Sequence, residues 1–466
     1  MNESMTNTTP GRILELNKLQ REYYATGATL DLSFRKEMLR KLLAAIKRWE
    51  KPLYGALWTD LHKSEQEAFL TEVSLVTGEI RNHLRHLSGW ARTKCKPTPM
   101  QMLPSRSRIV TEPLGNALII APWNYPFQLL LNPLVGAISA GCTALLKPSP
   151  YVPNVSRVIE DMISSTFDER YIAVVQGNRE VNTQLLDLRW DIIFFTGSPA
   201  LGRIVMQAAA KNLTPVVLEL GGKSPCFVTA DADLKLAAKR LAWGKALNAG
   251  QTCIAPDYVL IDKKIRDSFV EEYFRQVHAL LGEEPEQSEH FVRMVSDKAF
   301  VRVASYISGP DVSGTVRGGR TDAATRYIEP SVVLDPAPDS PVMTTEIFGP
   351  VLPVCTYGSL DEAVAFVNAR EKPLALYFFG DLQEGKDIVR RTSSGSACIN
   401  DTIMHIVNEK VPFGGVGNSG MGRYHGKLSF DAFTHERAVI ITPRHLDLPF
   451  RYMPYKLYKL FRMILD

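Results

Sequence analysis

The sequence has no cysteine pair at metal-ligand or redox spacing. Its six cysteines, Cys95, Cys142, Cys226, Cys253, Cys355 and Cys398, are scattered over 466 residues. That usage argues against a disulfide scaffold and for a reducing compartment. An excess of charge is also missing: 54 basic side chains face 50 acidic ones, a net of +4. This balance makes no electrostatic case for nucleic acid as a partner. No run approaches the roughly 18 uninterrupted apolar residues that span a bilayer. The first ten residues, Met1 to Pro10, are polar and lack the basic and apolar regions of a signal peptide. A soluble, cytoplasmic protein is expected, long enough for two or three domains and with no metal site.

What is present changes character along the chain. The first hundred residues read as helices, with Ile13, Leu14, Leu16 and Leu19, then Leu39, Leu42, Leu43 and Ile46, near helical spacing. Gly27 and Pro52 are expected to punctuate them. From about residue 106, short apolar runs alternate with helical segments. Strands are predicted at 117–121, 143–146, 171–175, 191–195 and 215–218, with helices at about 127–140, 154–166, 178–187 and 199–211 between them. This rhythm predicts an α/β fold: a parallel sheet with helices on both faces, doubly wound and suited to a nucleotide. A second set of strands is predicted near 225–228, 257–262, 351–356, 374–379 and 395–399. The end, residues 454–466, reads as a basic amphipathic helix. Leu457, Leu460, Phe461 and Ile464 form an apolar stripe beside Lys456, Lys459 and Arg462. Such a stripe docks on this subunit or a neighbour, or touches a membrane surface.

Five segments can carry chemistry. In Phe194-Phe-Thr-Gly-Ser-Pro-Ala-Leu-Gly202, an apolar strand runs into Gly197-Ser198 and a helix opens behind. Bare backbone at a helix amino end suits a phosphate, although an ordinary strand-to-helix turn reads the same way. In Ala121-Pro-Trp-Asn-Tyr-Pro126, Asn124 sits at the carboxyl end of a strand and could donate to an oxyanion; turn formation is the alternative. Glu219, in Leu218-Glu-Leu-Gly-Gly-Lys-Ser-Pro225, would become a base near neutral pH if buried. Cys253, in Asn248-Ala-Gly-Gln-Thr-Cys-Ile-Ala-Pro256, is a core residue or a nucleophile. Thr345-Glu-Ile-Phe-Gly-Pro350 suits a ligand-lining loop or a plain turn.

Taken together in this order and spacing, the segments resemble the aldehyde dehydrogenase superfamily over nearly the whole chain. Asn124 and Trp123 lie in its "PWNYP" segment and Lys147 in "KPS". Thr196, Gly197 and Ser198 match its "FTGS" turn, followed by Gly202. Glu219, Leu220 and Gly221 match "LELGGKSP", Cys253 matches "GQTC", and Glu346 and Phe348 match "EIFGP". "IAPDY" after Cys253 and "KVPFGGVGNSGMGRYHGKLSFDAFTHER" resemble the class 3 subgroup, which handles fatty and aromatic aldehydes.

The resemblance implies a Rossmann-type NAD(P)-binding domain (1–94, 114–221 and 417–431), an α/β catalytic domain (222–416), and a small β bridge between subunits (95–113 and 432–444). A tail covers 445–466. It implies Cys253 as nucleophile, Asn124 as oxyanion donor and Glu219 as base for thioester hydrolysis. Trp123, Lys147, Thr196, Gly197, Ser198, Gly202, Leu220, Gly221, Glu346 and Phe348 are implied to hold the coenzyme. The partner implied is an aldehyde, and the assembly a homodimer, with peripheral membrane contact through the tail as a further expectation. Pro150 departs from the pattern, which has glutamate after "KPS". Without that carboxylate a 2′-phosphate meets no repulsion, so use of NADP as well as NAD is expected. A CoA-acylating enzyme and a catalytically dead membrane-docking scaffold are the alternatives. His405 and His425 are expected to pack or hydrogen-bond rather than to catalyse, and Cys142 and Cys226 to lie in the core.

Overall fold

Two parallel sheets grow out of the strand–helix alternation in the sequence. The structure, a computed structural model, describes residues 6–310, 312–447, 452–456 and 458–465. The first sheet has six strands in the order Gly420–Met421, Val216–Leu220, Ile192–Gly197, Asn116–Ile120, Thr143–Lys147, Ile172–Val174. All pair in parallel except the short Gly420–Met421 strand. Asn116–Ile120 and Thr143–Lys147 are buried along their whole length, as expected of parallel strands covered on both faces.

The chain reverses its order across this sheet between Asn116–Ile120 and Ile192–Gly197, which are neighbours. Connections leave these two strands in opposite directions, so a crevice opens beyond their carboxyl ends. Those ends carry Trp123-Asn124 and Thr196-Gly197-Ser198. Register places Ile120 beside Phe195 and Thr196 beside Glu219. Three segments far apart in sequence are thereby aligned at one edge of the sheet.

The second sheet has seven strands: Thr315–Arg317, Ser331–Leu334, Val351–Tyr357, Tyr258–Asp262, Pro225–Val228, Ala375–Phe379 and Ser396–Ile399, in that spatial order. Only Thr315–Arg317 runs antiparallel to its neighbour. Ser331–Leu334 was not expected from the sequence: its four residues follow Pro330 and offer no alternation, and only burial between neighbours makes them a strand. A third, antiparallel sheet joins Lys94–Lys96, Arg106–Pro113 and Thr434–Ile441.

The amino-terminal helices are Pro10–Ala25, Leu32–Leu61 and Ser74–Trp90. Gly27 ends the first turn of chain with φ 75°, but Pro52 punctuates nothing and lies inside Leu32–Leu61. A mid-helix proline costs about 3 kcal/mol. Leu53, Leu57 and Leu61 follow it, all buried, and each fully buried leucine returns about 1.5–3 kcal/mol. At the other end the helix Tyr458–Leu465 forms. Leu457 and the side chains of Leu460, Phe461 and Ile464, on which the apolar-stripe expectation rests, lie outside the described residues. Among the described residues no helix is long and apolar enough to cross a membrane.

Candidate active site

The loop that carries Cys253 is fixed before it reaches the sulfur. Asn248 and Ala249 adopt left-handed backbone, each with φ 51°, a conformation that non-glycine residues hold only when their surroundings enforce it. The enforcement is visible. Asn248 Nδ2 donates to the carbonyls of Asn124 at 2.9 Å and Gln251 at 3.0 Å. The Gln251 amide donates to Arg293 O at 3.1 Å and accepts from Val295 N at 3.0 Å. Tyr125 and Thr252 hydroxyls meet at 2.6 Å, and the Tyr377 hydroxyl donates to Ile254 O at 2.5 Å. Within this clamped loop Thr252 and Ile254 are buried, whereas Cys253 is half-buried.

Cys253 opens into two cavities. One, of about 990 Å³, lies over the crevice of the first sheet; the other, of about 630 Å³, is lined mainly by apolar side chains such as Leu70, Leu75, Trp243, Leu280 and Ile406. Cys253, Glu219, Thr196, Leu129 and Leu220 line both. The sulfur therefore stands where the contents of the two cavities would meet.

Glu219 and Asn124 converge on that junction. Glu219 is 3% exposed, and neither carboxyl oxygen has a hydrogen-bond partner. Burial raises its pKa well above the usual carboxylate value. An acceptor pair left unmet in the interior calls for a ligand or water. Asn124 is buried, and its Nδ2 donates to Gln251 O at 3.0 Å; the amide's second N–H is left for another acceptor. Burial, helped by the Glu346 and Glu219 carboxyls, pushes the Cys253 thiol up to about 12. Burial thus opposes the charged form of both groups.

The larger cavity suits a dinucleotide. The helix Pro199–Ala210 opens onto it, with Ser198 as its amino-terminal cap, so an anion there meets the positive end of the helix. Trp123, Thr196, Gly197, Ser198, Leu220, Gly221, Glu346 and Phe348 all line it. A Cβ on Gly221 would lie 2.3 Å from a Glu346 carboxyl oxygen, so any larger residue there displaces this carboxylate. Burial pushes Glu346 up to about 8. Phe348, at φ 49°, meets Trp123 edge to face with centroids 5.3 Å apart.

Two expected coenzyme residues do not line the cavity. Gly202 packs against Leu220, whose Cδ2 would lie 2.7 Å from an added Cβ. Lys147 is buried, its Nζ donates to Pro148 O at 2.7 Å, and burial lowers it to about 8. His405 bonds Ser396 and Cys398, His425 stacks on Phe413, and Cys142 and Cys226 are buried.

Several residues that carry no catalytic motif of their own also shape the site. Lys223 pairs with Asp257 and donates to the carbonyls of Val342 at 2.8 Å and Thr345 at 3.0 Å. Asp257 accepts from Ile347 N at 3.0 Å, and Arg302 donates to Glu346 O at 3.2 Å and Ile347 O at 2.8 Å. Together they fix the loop that presents Glu346 and Phe348. Lys63 and Glu72, from the helical start of the chain, bond the Asn124 turn.

The aldehyde dehydrogenase family pattern matches residues 17–439. A 4,4'-diaponeurosporen-aldehyde dehydrogenase of Staphylococcus aureus is 46% identical over 93% of this chain and 95% of its own. The dimeric NADP-preferring aldehyde dehydrogenase of Rattus norvegicus is 44% identical over 91% of this chain and 93% of its own. Among solved structures, the substrate-bound Staphylococcus aureus AldH superposes with a TM-score of 0.95 at 44% identity, covering 97% of this chain and 99% of that one.

Proposed function

The chain belongs to the aldehyde dehydrogenase family, an enzyme of aldehyde oxidation with NAD or NADP, and on that premise we propose the course of the reaction and the kind of aldehyde. The aldehyde enters through the apolar cavity and the coenzyme occupies the larger one. Cys253, its thiol proton passed to water, attacks the carbonyl carbon as thiolate, and the C=O π pair moves to oxygen as the C–S bond forms. The oxyanion that results is held by the free N–H of Asn124 and by a backbone N–H beside Cys253. NAD(P)⁺, when bound, supplies the hydride acceptor. Loss of hydride from the adduct leaves a thioester on Cys253. Glu219 takes a proton from water as that water attacks the thioester, and the acid departs. A base beside the sulfur favours water over CoA as the acceptor of the acyl group.

The observation that carries this reading is the shared lining: Cys253 and Glu219 belong to both cavities. The apolar wall of the smaller one favours medium- or long-chain aliphatic, or aromatic, aldehydes. Residues 454–466 are proposed to assist long chains. Pro150 in place of a carboxylate favours dual use of NAD and NADP, and a relative's NADP preference agrees.

A series of straight-chain aldehydes with each coenzyme tests the reading. With about 0.8 kcal/mol per buried methylene, kcat/KM is expected to rise about fourfold per carbon until the cavity is filled. A flat series, or a strong preference for NAD, would count against it.

A further inference from the structure

Lys63 and Glu72 form an ion pair at 2.7 Å with both side chains 0% exposed. Burying two charges is costly, and well-packed apolar residues of like volume often do as well or better for stability. The pair therefore asks for a reason beyond holding the core, and its remaining bonds give one. Lys63 Nζ donates to Asn124 O at 3.1 Å and lies 4.3 Å from the centre of the Tyr125 ring. Glu72 Oε2 accepts from Phe127 N at 2.8 Å and Gln128 N at 3.3 Å. Outside the pair, the side-chain hydrogen bonds of both residues go to the stretch from Asn124 to Gln128.

The geometry has a further consequence. The helix Gln128–Ala140 starts without a side-chain cap of its own, and its first N–H groups need an acceptor. Glu72 supplies it from a distant segment. Glu72 itself sits in a π-helical stretch, Phe69–Val73, a form that appears often at functional sites. Lys63 pulls on the carbonyl of Asn124 while Glu72 holds the backbone three and four residues on. The turn is gripped from both ends, and the Asn124 side chain donates to Gln251 O and lines the larger cavity, as Cys253 does.

We propose that Lys63 and Glu72 are positioning residues for the reaction: a buried clamp that sets the Asn124 amide at the oxyanion position. This rests on the reading of Asn124 given above. Neither Lys63 nor Glu72 lines either cavity, so their effect passes through the turn that carries Asn124.

The test is a double-mutant cycle on the full-length enzyme, read as the rate of the pre-steady-state burst of reduced coenzyme. Asn124→Ala is expected to slow the burst about 10²–10³-fold. Glu72→Gln and the paired variant Lys63→Met/Glu72→Gln are expected to slow it on the order of 10²-fold. Coenzyme affinity, followed by fluorescence, should stay within about twofold. Placed on Asn124→Ala, the same substitutions should add less than about twofold, because the group they position is gone. If Glu72→Gln alone does not fold, the paired variant, which leaves no unpaired buried charge, carries the test. An unchanged burst in the paired variant, or a loss that adds fully to that of Asn124→Ala, overturns the clamp. An unchanged burst in Asn124→Ala overturns the role of Asn124 itself.

Discussion

At the scale of the residue, the reactive sulfur rests in an environment that opposes its ionisation. Burial and two nearby carboxyls push Cys253 up to about 12, against about 8.5 for a free thiol. A raised thiol pKa means less thiolate at any given pH, so reactivity should climb as pH rises toward the shifted value. Alkylation of the coenzyme-free protein by iodoacetamide is therefore expected to keep accelerating above about pH 8.5. Oxidised coenzyme in the proposed site would bring positive charge toward the sulfur and should move the midpoint down. A midpoint near neutrality without coenzyme would contradict this electrostatic account. Singly, the segments of Cys253, Glu219 and Asn124 read equally as turns or core; only their joint resemblance to the family set the three apart, and the structure brings them to one cavity. Their electrostatic state was not legible, since it depends on the depth of burial and on carboxyls that lie far away in sequence. Lys63, in the turn after Leu32–Leu61, and Glu72, in a helical stretch, were illegible for the same reason: a charge there reads as surface until the opposing turn is seen.

At the scale of the element, strand order decides where the chemistry gathers. The apolar runs at 117–121, 143–146, 171–175, 191–195 and 215–218 became strands close to those limits, because continuous burial on both faces leaves a strong pattern. Ser331–Leu334 left none, and Pro52 was overridden by the buried leucines beyond it. Gly221 shows how two elements constrain each other. It follows the strand Val216–Leu220, and its missing Cβ makes room for Glu346. Lys223, Asp257 and Arg302 fix the Glu346 loop by its backbone, so that loop cannot retreat. Gly221→Ala is expected to raise the coenzyme KM on the order of tenfold. Alkylation of Cys253 without coenzyme should stay nearly unchanged. An unaltered coenzyme KM would show that the carboxylate can move, contrary to this packing.

At the scale of the whole molecule, the third sheet ends on an edge strand, Thr434–Ile441, most of whose side chains are exposed. An edge with Val439, Ile440 and Ile441 invites pairing with another chain, and we propose that a second copy covers it. Sedimentation should give twice the monomer mass, and Ile440→Lys should shift it toward one; a monomer at all concentrations would refute the pairing. In the proposed reaction Cys253 holds the acyl group where the two cavities meet and Glu219 releases it. Glu219→Gln tests this most directly, by rapid mixing with a medium-chain aldehyde and coenzyme followed by intact-mass analysis. The account predicts a stoichiometric burst of reduced coenzyme, turnover lowered about 10²–10⁴-fold, and a chain heavier by one acyl group on the Cys253 peptide. No burst and no acyl adduct, or undiminished turnover, would contradict it.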